Sequence, residues 1–358
     1  MNAVRGWRTA MEHALYGPSG FYVRGAGPQA HFRTSVTSGP LFAAALQRLV
    51  SDVDDALARP AALRVVDVGA GDGSLLTAVL AGLDVDQRRR WQLTGVDLRG
   101  RPASLPPEIG WVREPPTGVD GVVVAHELLD NVPLDVVEQT EAGLRLVVVD
   151  ELGQESLGGP LTNDDADWLR RWWPMEDADV GDRAEVGHPR DAAWAALVTS
   201  LRRGTAVAVD YAHTRAQRAA GSWASGSLTA YRAGHQVAPV PDGSCDLTAH
   251  VALDACEDAG IRAGATDSVT LAQFLALPAL GVSGRRPPLD LAHSDPVGYV
   301  AALSRASQAA ELTQRGGLGD FTWLVQTRGQ PVAVRLTDIL NAEERATPPS
   351  PQPRRPAP

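Results

Sequence analysis

The chain has 358 residues, enough for one large domain or two small ones, and 44% of them are hydrophobic, which supports a sizeable core. Its net charge is −10 and every cation other than histidine is an arginine, which argues against a nucleic-acid groove, because phosphate binding needs clustered cations. Two cysteines, Cys245 and Cys256, argue against a disulfide framework and against a zinc or other metal site; with no apolar leader and no apolar run near the ~20 residues that span a bilayer, the expectation is a soluble, cytoplasmic protein.

In chain order, the first informative stretch is Leu15-Tyr16-Gly17-Pro18 with Gly20-Phe21-Tyr22, where tyrosines flank a Gly-Pro turn and suggest a packed loop. Phe32-Arg33-Thr34-Ser35 follows, and the spacing predicts a helix from Leu41 to Leu57. The chain then reaches Val65-Val66-Asp67-Val68-Gly69-Ala70-Gly71-Asp72-Gly73-Ser74-Leu75-Leu76. An apolar, β-branched run suits a buried parallel strand; alternate glycines break it, and a helical pattern resumes. Strand, glycine loop and helix form the layout of a nucleotide site at the carboxyl end of a parallel strand. A dinucleotide fingerprint would read G-x-G-x-x-G. Here the spacing is G-x-G-x-G, with Asp67 two positions before the first glycine, and it resembles motif I of the class I S-adenosylmethionine (SAM) methyltransferases. Leu93-Thr94-Gly95-Val96-Asp97 then gives a short strand ending in an acid that can accept from both ribose hydroxyls. The alternative for the pair is a plain tight turn with a solvated aspartate.

Gly110 to Glu114 reads as a third strand, and Gly121 to Ala125 as a fourth, buried on both faces. The fourth ends in His126-Glu127-Leu128-Leu129-Asp130-Asn131-Val132-Pro133, beside the glycine loop at the carboxyl edge. Leu134–Gln139 and Leu144–Val149 suggest a hairpin. Trp168 and Trp172 fall at i, i+4 on one helix face, either a satellite core or an aromatic binding wall. A helix from Asp191 to Leu201 leads to a fifth strand, Thr205–Val209, ending Asp210-Tyr211. Asp246-Leu247-Thr248-Ala249-His250-Val251 opens a helix, Ala252 to Ala259, with Gly260 as its stop. Helical stretches near Leu271–Leu277 and Val297–Leu312 precede Phe321–Gln326 and Val332–Leu336, which resemble the antiparallel pair closing a class I sheet. The tail from Thr347 is proline-rich and has the composition of a disordered segment.

Taken together, the Tyr-Gly-Pro turn, Phe32 to Ser35, the glycine loop, Ala125 to Pro133, and Asp210-Tyr211 with Asp246 to Val251 resemble the MidA-type SAM-dependent methyltransferases. That family includes a mitochondrial complex I assembly factor that is a protein arginine methyltransferase. The resemblance covers roughly residues 11 to 336 and implies an α/β fold: a class I, Rossmann-like, doubly wound sheet, mostly parallel with an antiparallel terminal strand, plus inserted helical and hairpin elements. The organisation it implies is an N-terminal helical or lid segment over 1–60, a methyltransferase domain over 61–343 with insertions near 134–190 and 211–320, and a disordered tail over 344–358. It implies SAM as cofactor and a protein substrate, with a subunit of a larger complex as one candidate; a homodimer is left open, and neither nucleic acid nor membrane is expected. The chain departs from the family pattern at His126-Glu127-Leu128, where Asn-Glu-Phe is usual, at Val36-Thr37 in place of Pro-Glu, and at Phe42-Ala43-Ala44 in place of Phe-Gly-Glu.

The cofactor contacts so implied are Asp67, Gly69, Gly71, Gly73, Asp97, Glu114, Ala125, Thr34 and Ser35. A guanidinium is fully protonated at neutral pH, so an enzyme that methylates it needs carboxylates to hold the planar fork and orient one nitrogen. Glu127 and Asp130 are the candidates, with capping of a following helix as their alternative role. His126 is a further catalytic candidate, either touching the methionine moiety or acting as a base, against a hydrogen-bonded loop histidine. Tyr16, Tyr211 and His250 are candidates for the substrate channel, with packing as the alternative for Tyr211 and a structural role at the helix entry for His250. The reading is a SAM-dependent methyltransferase acting on a protein side chain, with arginine expected. A non-catalytic SAM-binding scaffold and, less favoured by the glycine spacing, a nicotinamide oxidoreductase remain as alternatives.

Overall fold

The computed structural model describes residues 4–24 and 39–329. Seven strands form the central sheet: β1 (Leu63–Val68), β2 (Trp91–Val96), β3 (Gly110–Val112), β4 (Val119–His126), β5 (Leu201–Asp210), β6 (Asp267–Ala272) and β7 (Thr322–Arg328). Their spatial order is β6-β7-β5-β4-β1-β2-β3. The first five run parallel, while β7 lies antiparallel to both β5 and β6. The chain winds outward from β1 to β3, then returns to β4 on the other side of β1. That reversal places a crevice at the carboxyl ends of β1 and β4, where ligands of doubly wound sheets bind.

Strand β4 shows why the sheet is buried on both faces. Val122 and Val124 point to one core, with helices α2 (Pro40–Ala56) and α3 (Ser74–Gly82). Val123 and Ala125 point to the other, with α4 (His188–Ser200) and α5 (Leu253–Arg262). Period-two alternation with apolar residues on both sides needs a helical layer on each face.

Two insertions build onto this frame. Between β4 and β5, Asp135–Thr140 and Gly143–Val149 form the expected hairpin, extended by Arg183–Val186 and flanked by Arg5–Gly6 and Glu155–Leu157. Between β5 and β6, Thr229–Arg232, His235–Val237 and Asp246–Thr248 form a three-stranded sheet. Helix α1 (Trp7–Tyr16) packs Trp7, Met11 and Leu15 between the two insertions, against Val136, Val149 and Leu247. The two N-terminal helices therefore serve different cores: α1 closes the insertions and α2 covers the sheet.

Two elements differ from the sequence reading. The partner of β7 on the outer side is Asp267–Ala272, whose end falls in a stretch read as helix; Val332–Leu336 lies outside the described residues. Strand pairing to β7 fixes Val269 and Leu271 in the core, and the helix begins only at Gln273. Gly260 does not stop α5, which continues to Arg262. A Cβ at Gly260 would stand 1.7 Å from Gln326 Oε1 and 2.8 Å from Trp194 Nε1, so this glycine permits close helix–sheet packing. Of the two readings of Trp168, the satellite core holds: it is buried with Val137, Ala184 and Val186, donates to Asp191 Oδ2 at 2.7 Å, and forms no part of the crevice.

Candidate active site

The glycine loop is pinned by its backbone. The N–H groups of Gly69 and Ala70 donate to the carbonyl of Val96 at 2.9 and 3.1 Å, fixing the end of β1 to the end of β2. Gly69, Gly71 and Gly73 have φ of +77°, +62° and +78°, a conformation that side chains with a Cβ resist. The Gly71 N–H donates to Asp97 Oδ2 at 2.9 Å. Asp97 Oδ1 accepts from the backbone N–H of Arg99 at 2.8 Å and from its Nε at 3.1 Å. A Cβ built at Gly71 would meet only Arg99 Nη2, at 3.6 Å, so the space in front of the loop is open to the crevice. Asp67 is buried beneath the loop; burial, then the charges of Asp97 and Asp72, push its carboxyl up to about 7. An open glycine cradle beside a carboxylate at the end of β2 fits a nucleoside whose ribose hydroxyls need an acceptor.

The loop lines one end of a cleft of about 440 Å³. The other end starts where β4 stops. His126 lies with its ring centroid 4.8 Å from Phe42 and 6.2 Å from Phe321, and burial pushes its pKa down to about 3, so it is neutral and a weak base at ordinary pH. Its Nε2 is 3.2 Å from Glu127 Oε1. Glu127 has φ +49°, the left-handed region that a non-glycine residue occupies only at a cost of about 1–2 kcal/mol, and its N–H is held by the carbonyl of Val209 at 2.9 Å. This turn aims the carboxylate into the cleft. One 3₁₀ turn, Leu129–Asn131, follows.

A third acid, Asp210, shares in capping this turn. It acts from the neighbouring strand: Asp210 Oδ2 accepts from the N–H groups of Leu129 at 2.9 Å and Asp130 at 3.3 Å. Asp130 turns into the cleft. Its Oδ2 accepts from Thr248 Oγ1 at 2.6 Å, while Oδ1 is buried and makes no hydrogen bond of normal geometry. Burial raises its pKa against the pull of Thr248, of Arg190 and of nearby backbone N–H groups.

The insertions supply the remaining wall. Asp246 Oδ1 accepts from the Tyr22 hydroxyl at 2.8 Å and from Asn131 Nδ2 at 2.9 Å. Tyr16 donates to the carbonyl of Asn131 at 3.1 Å and stacks on Tyr22 at 5.7 Å. Tyr211 packs on Phe321 at 4.1 Å and lies 5.6 Å from His250. Burial, then the positive charge of Arg190, pushes His250 down to about 4, so it too is neutral. Arg190 is the hidden clamp. It is 1% exposed, and its guanidinium donates to the carbonyls of Asp130 at 2.5 Å, Val132 at 3.2 Å, Ala249 at 2.7 Å and His250 at 2.9 Å. One side chain from α4 thus ties the 130–132 turn to the 249–250 segment.

Asp67, Gly69, Gly71, Asp97, His126, Glu127, Asp130, Tyr16, Tyr211 and His250 all line this cleft. Three of the expected cofactor contacts do not. Gly73 faces Leu105 and Trp111 and shapes the loop from behind. Glu114 is exposed, while its neighbours Arg113 and Pro115 reach the cleft, because β3 ends at Val112 and the chain turns outward. Ala125 is fully buried under the strand end. Thr34 and Ser35 lie outside the described residues. The sequence reading assigned no role to Asp246, Thr248, Asn131, Tyr22 or Arg190. The first two stood in its most specific string, and only contact across more than 100 residues gives them a function.

A doubly wound sheet with this order and a glycine cradle opposed to a ribose-binding acid defines a class I SAM methyltransferase. The family described as "Putative S-adenosyl-L-methionine-dependent methyltransferase" matches residues 45–270, more than half of the chain, and the protein belongs to that family. A search of curated proteins finds no match. Among solved structures, a "COG1565 superfamily member and likely methyl transferase" of Burkholderia thailandensis bound to S-adenosyl-homocysteine is 26% identical, with a TM-score of 0.77 over 93% of this chain and 90% of that one. A native crystal structure of an uncharacterised protein of the same superfamily and organism gives 26% identity, a TM-score of 0.75 and the same coverage. The chain is thus a methyltransferase enzyme with SAM as its cofactor. Among the described residues, no helix is long and apolar enough to cross a membrane.

Proposed function

We propose that the enzyme methylates a protein side chain, and that this side chain is an arginine. The observation that carries the reading is the cluster of carboxyl groups in the substrate half of the cleft. Glu127, Asp130 and Asp246 line it with Tyr16, Tyr22 and Tyr211; among the described residues the arginines that line the cleft, Arg99 and Arg113, belong to its nucleotide end. Both histidines there are held neutral by burial. Such a wall attracts a cation and repels an anionic acceptor.

Bound SAM supplies an electrophilic methyl: a nitrogen lone pair forms the N–C bond while the C–S bond breaks and its electrons stay on sulfur. The chain contributes position and charge. Glu127 and Asp130 hold the guanidinium through charge-assisted hydrogen bonds and turn one nitrogen toward the glycine-loop end of the cleft. The proton shed by that nitrogen passes to the Glu127 carboxylate. His126, neutral and packed between two aromatic rings, shapes the passage between the two halves.

The test uses the purified enzyme, methyl-labelled SAM and an extract from cells lacking the protein. Amino-acid analysis of the labelled product should show methylarginine. Label confined to a small molecule, or to a residue other than arginine, overturns the reading.

A further inference from the structure

We infer that Asp246, on the inserted three-stranded sheet, is a specificity-determining residue: with Asp130 it forms the seat that selects a cationic acceptor over a neutral one of the same shape. This rests on the reading of the substrate as an arginine, and it goes beyond that reading by placing the discrimination outside the catalytic turn.

The argument is one of uncompensated charge. Asp246 is 5% exposed and Asp130 7% exposed, and both line the same cleft wall. Buried carboxylates are held by a cation or by a full set of donors. Asp210 meets that requirement with three backbone N–H groups, from Leu129, Asp130 and Tyr211. Asp130 and Asp246 do not. Asp130 Oδ1 makes no hydrogen bond of normal geometry. Asp246 accepts through Oδ1 from Tyr22 and Asn131, two uncharged donors. Arg190 is the buried cation whose charge reaches Asp130, yet it directs its hydrogen bonds to four backbone carbonyls and none to either carboxylate. Among the described residues, the wall therefore presents two acids to which no cationic side chain donates a hydrogen bond. Burial, and next to it the charge of Asp130, push the Asp246 carboxyl up to about 8. Tyr16 and Tyr22, stacked on each other at 5.7 Å, line the same cleft.

SAM carries positive charge as well, so the test must separate cofactor from acceptor. Three probes are titrated calorimetrically into the full-length protein: S-adenosyl-homocysteine alone, then Nα-acetyl-arginine methylamide and its neutral isostere Nα-acetyl-citrulline methylamide into the S-adenosyl-homocysteine complex. The wild type should bind the arginine probe at least about tenfold more tightly than the citrulline probe, the scale of one charge-assisted hydrogen bond. Asp246→Asn keeps an oxygen for Tyr22 and Asn131 and removes the group that can ionise against a cation. It should bring the two probes to within about twofold of each other and leave S-adenosyl-homocysteine binding unchanged, which also reports that the variant is folded. A preference that survives in Asp246→Asn overturns the assignment and leaves the arginine reading standing. Weakened S-adenosyl-homocysteine binding assigns the acid to the cofactor and overturns it equally. A wild type that does not discriminate between the probes removes the arginine reading and this inference with it.

Discussion

The two ends of the cleft are built in opposite ways. The nucleotide end comes from one short run of chain and the next strand: Gly69, Gly71 and Asp97 meet through backbone hydrogen bonds between the ends of β1 and β2. The acceptor end joins Tyr16 and Tyr22 from the N-terminus, Glu127 to Asn131 from the end of β4, Arg190 from α4 and Asp246 to His250 from the second insertion. Local geometry makes the first; a buried polar network makes the second. The first can serve any acceptor, whereas the second can be rebuilt for a new acceptor without disturbing the cofactor. Substitutions in the two halves should therefore separate cofactor binding from turnover.

The largest effect is expected at the clamp. Arg190→Met would leave the carbonyls of Asp130, Val132, Ala249 and His250 without their donor. Stability should fall by about 3–5 kcal/mol, measured as a shift in denaturant midpoint. A midpoint within 1 kcal/mol of wild type would mean that the acceptor half does not depend on this clamp.

Next comes Glu127→Gln, which keeps shape and loses charge. Turnover on the identified substrate should drop about 10²- to 10³-fold, the usual scale for removing one preorganised electrostatic group, with SAM affinity unchanged. A rate near wild type would show that the strained turn at Glu127 serves packing alone.

The nucleotide half is probed by Asp97→Ala. Loss of the acceptor for the ribose should weaken SAM binding by about 1.5–3 kcal/mol in a titration, because hydrogen bonds to a charged group carry that much. Here the relation inverts: kcat at saturating SAM should be preserved. Equal losses in affinity and kcat would argue that the two halves act as one unit.

The smallest effect is a pH dependence present at both ends. Folded Asp67 titrates at about 7 and Asp246 at about 8, both raised by burial first, against about 3.9 for an unfolded aspartate. The folded state holds these protons more tightly, so their contribution is full below pH ~4 and is lost as pH rises toward ~8. Neutral His126 and His250 act in the opposite sense below about 6.5, where the unfolded chain gains protons that the fold refuses. The ligand-free protein should therefore melt highest in mildly acidic solution. Asp67→Asn and Asp246→Asn should each raise stability at pH ~8.5 relative to pH ~6 by at least about 1 kcal/mol. Parallel melting curves for wild type and variants across that range would show that neither acid carries its proton in the fold.

The residue sequence alone determined the nucleotide half. Apolar β-branched residues, alternate glycines and an acid at the next strand end are contiguous, and each acts through its own backbone or its nearest neighbour. The paired acids Glu127 and Asp130 were visible for the same reason, as polar residues at the end of a buried strand. What they do was decided by tertiary structure: Asp210 shares in capping the turn, and Asp130 faces the cleft. Asp246, Tyr22 and Asn131 share one hydrogen-bonded wall although 115 residues separate Asn131 from Asp246 and 224 separate Tyr22 from it. Arg190 reads in the sequence as an ordinary charge near a helix start, and only burial against four carbonyls turns it into a clamp. Propensity and periodicity report what a residue does to its own segment. Charge compensation and hydrogen-bond satisfaction are settled only when distant segments exclude water together.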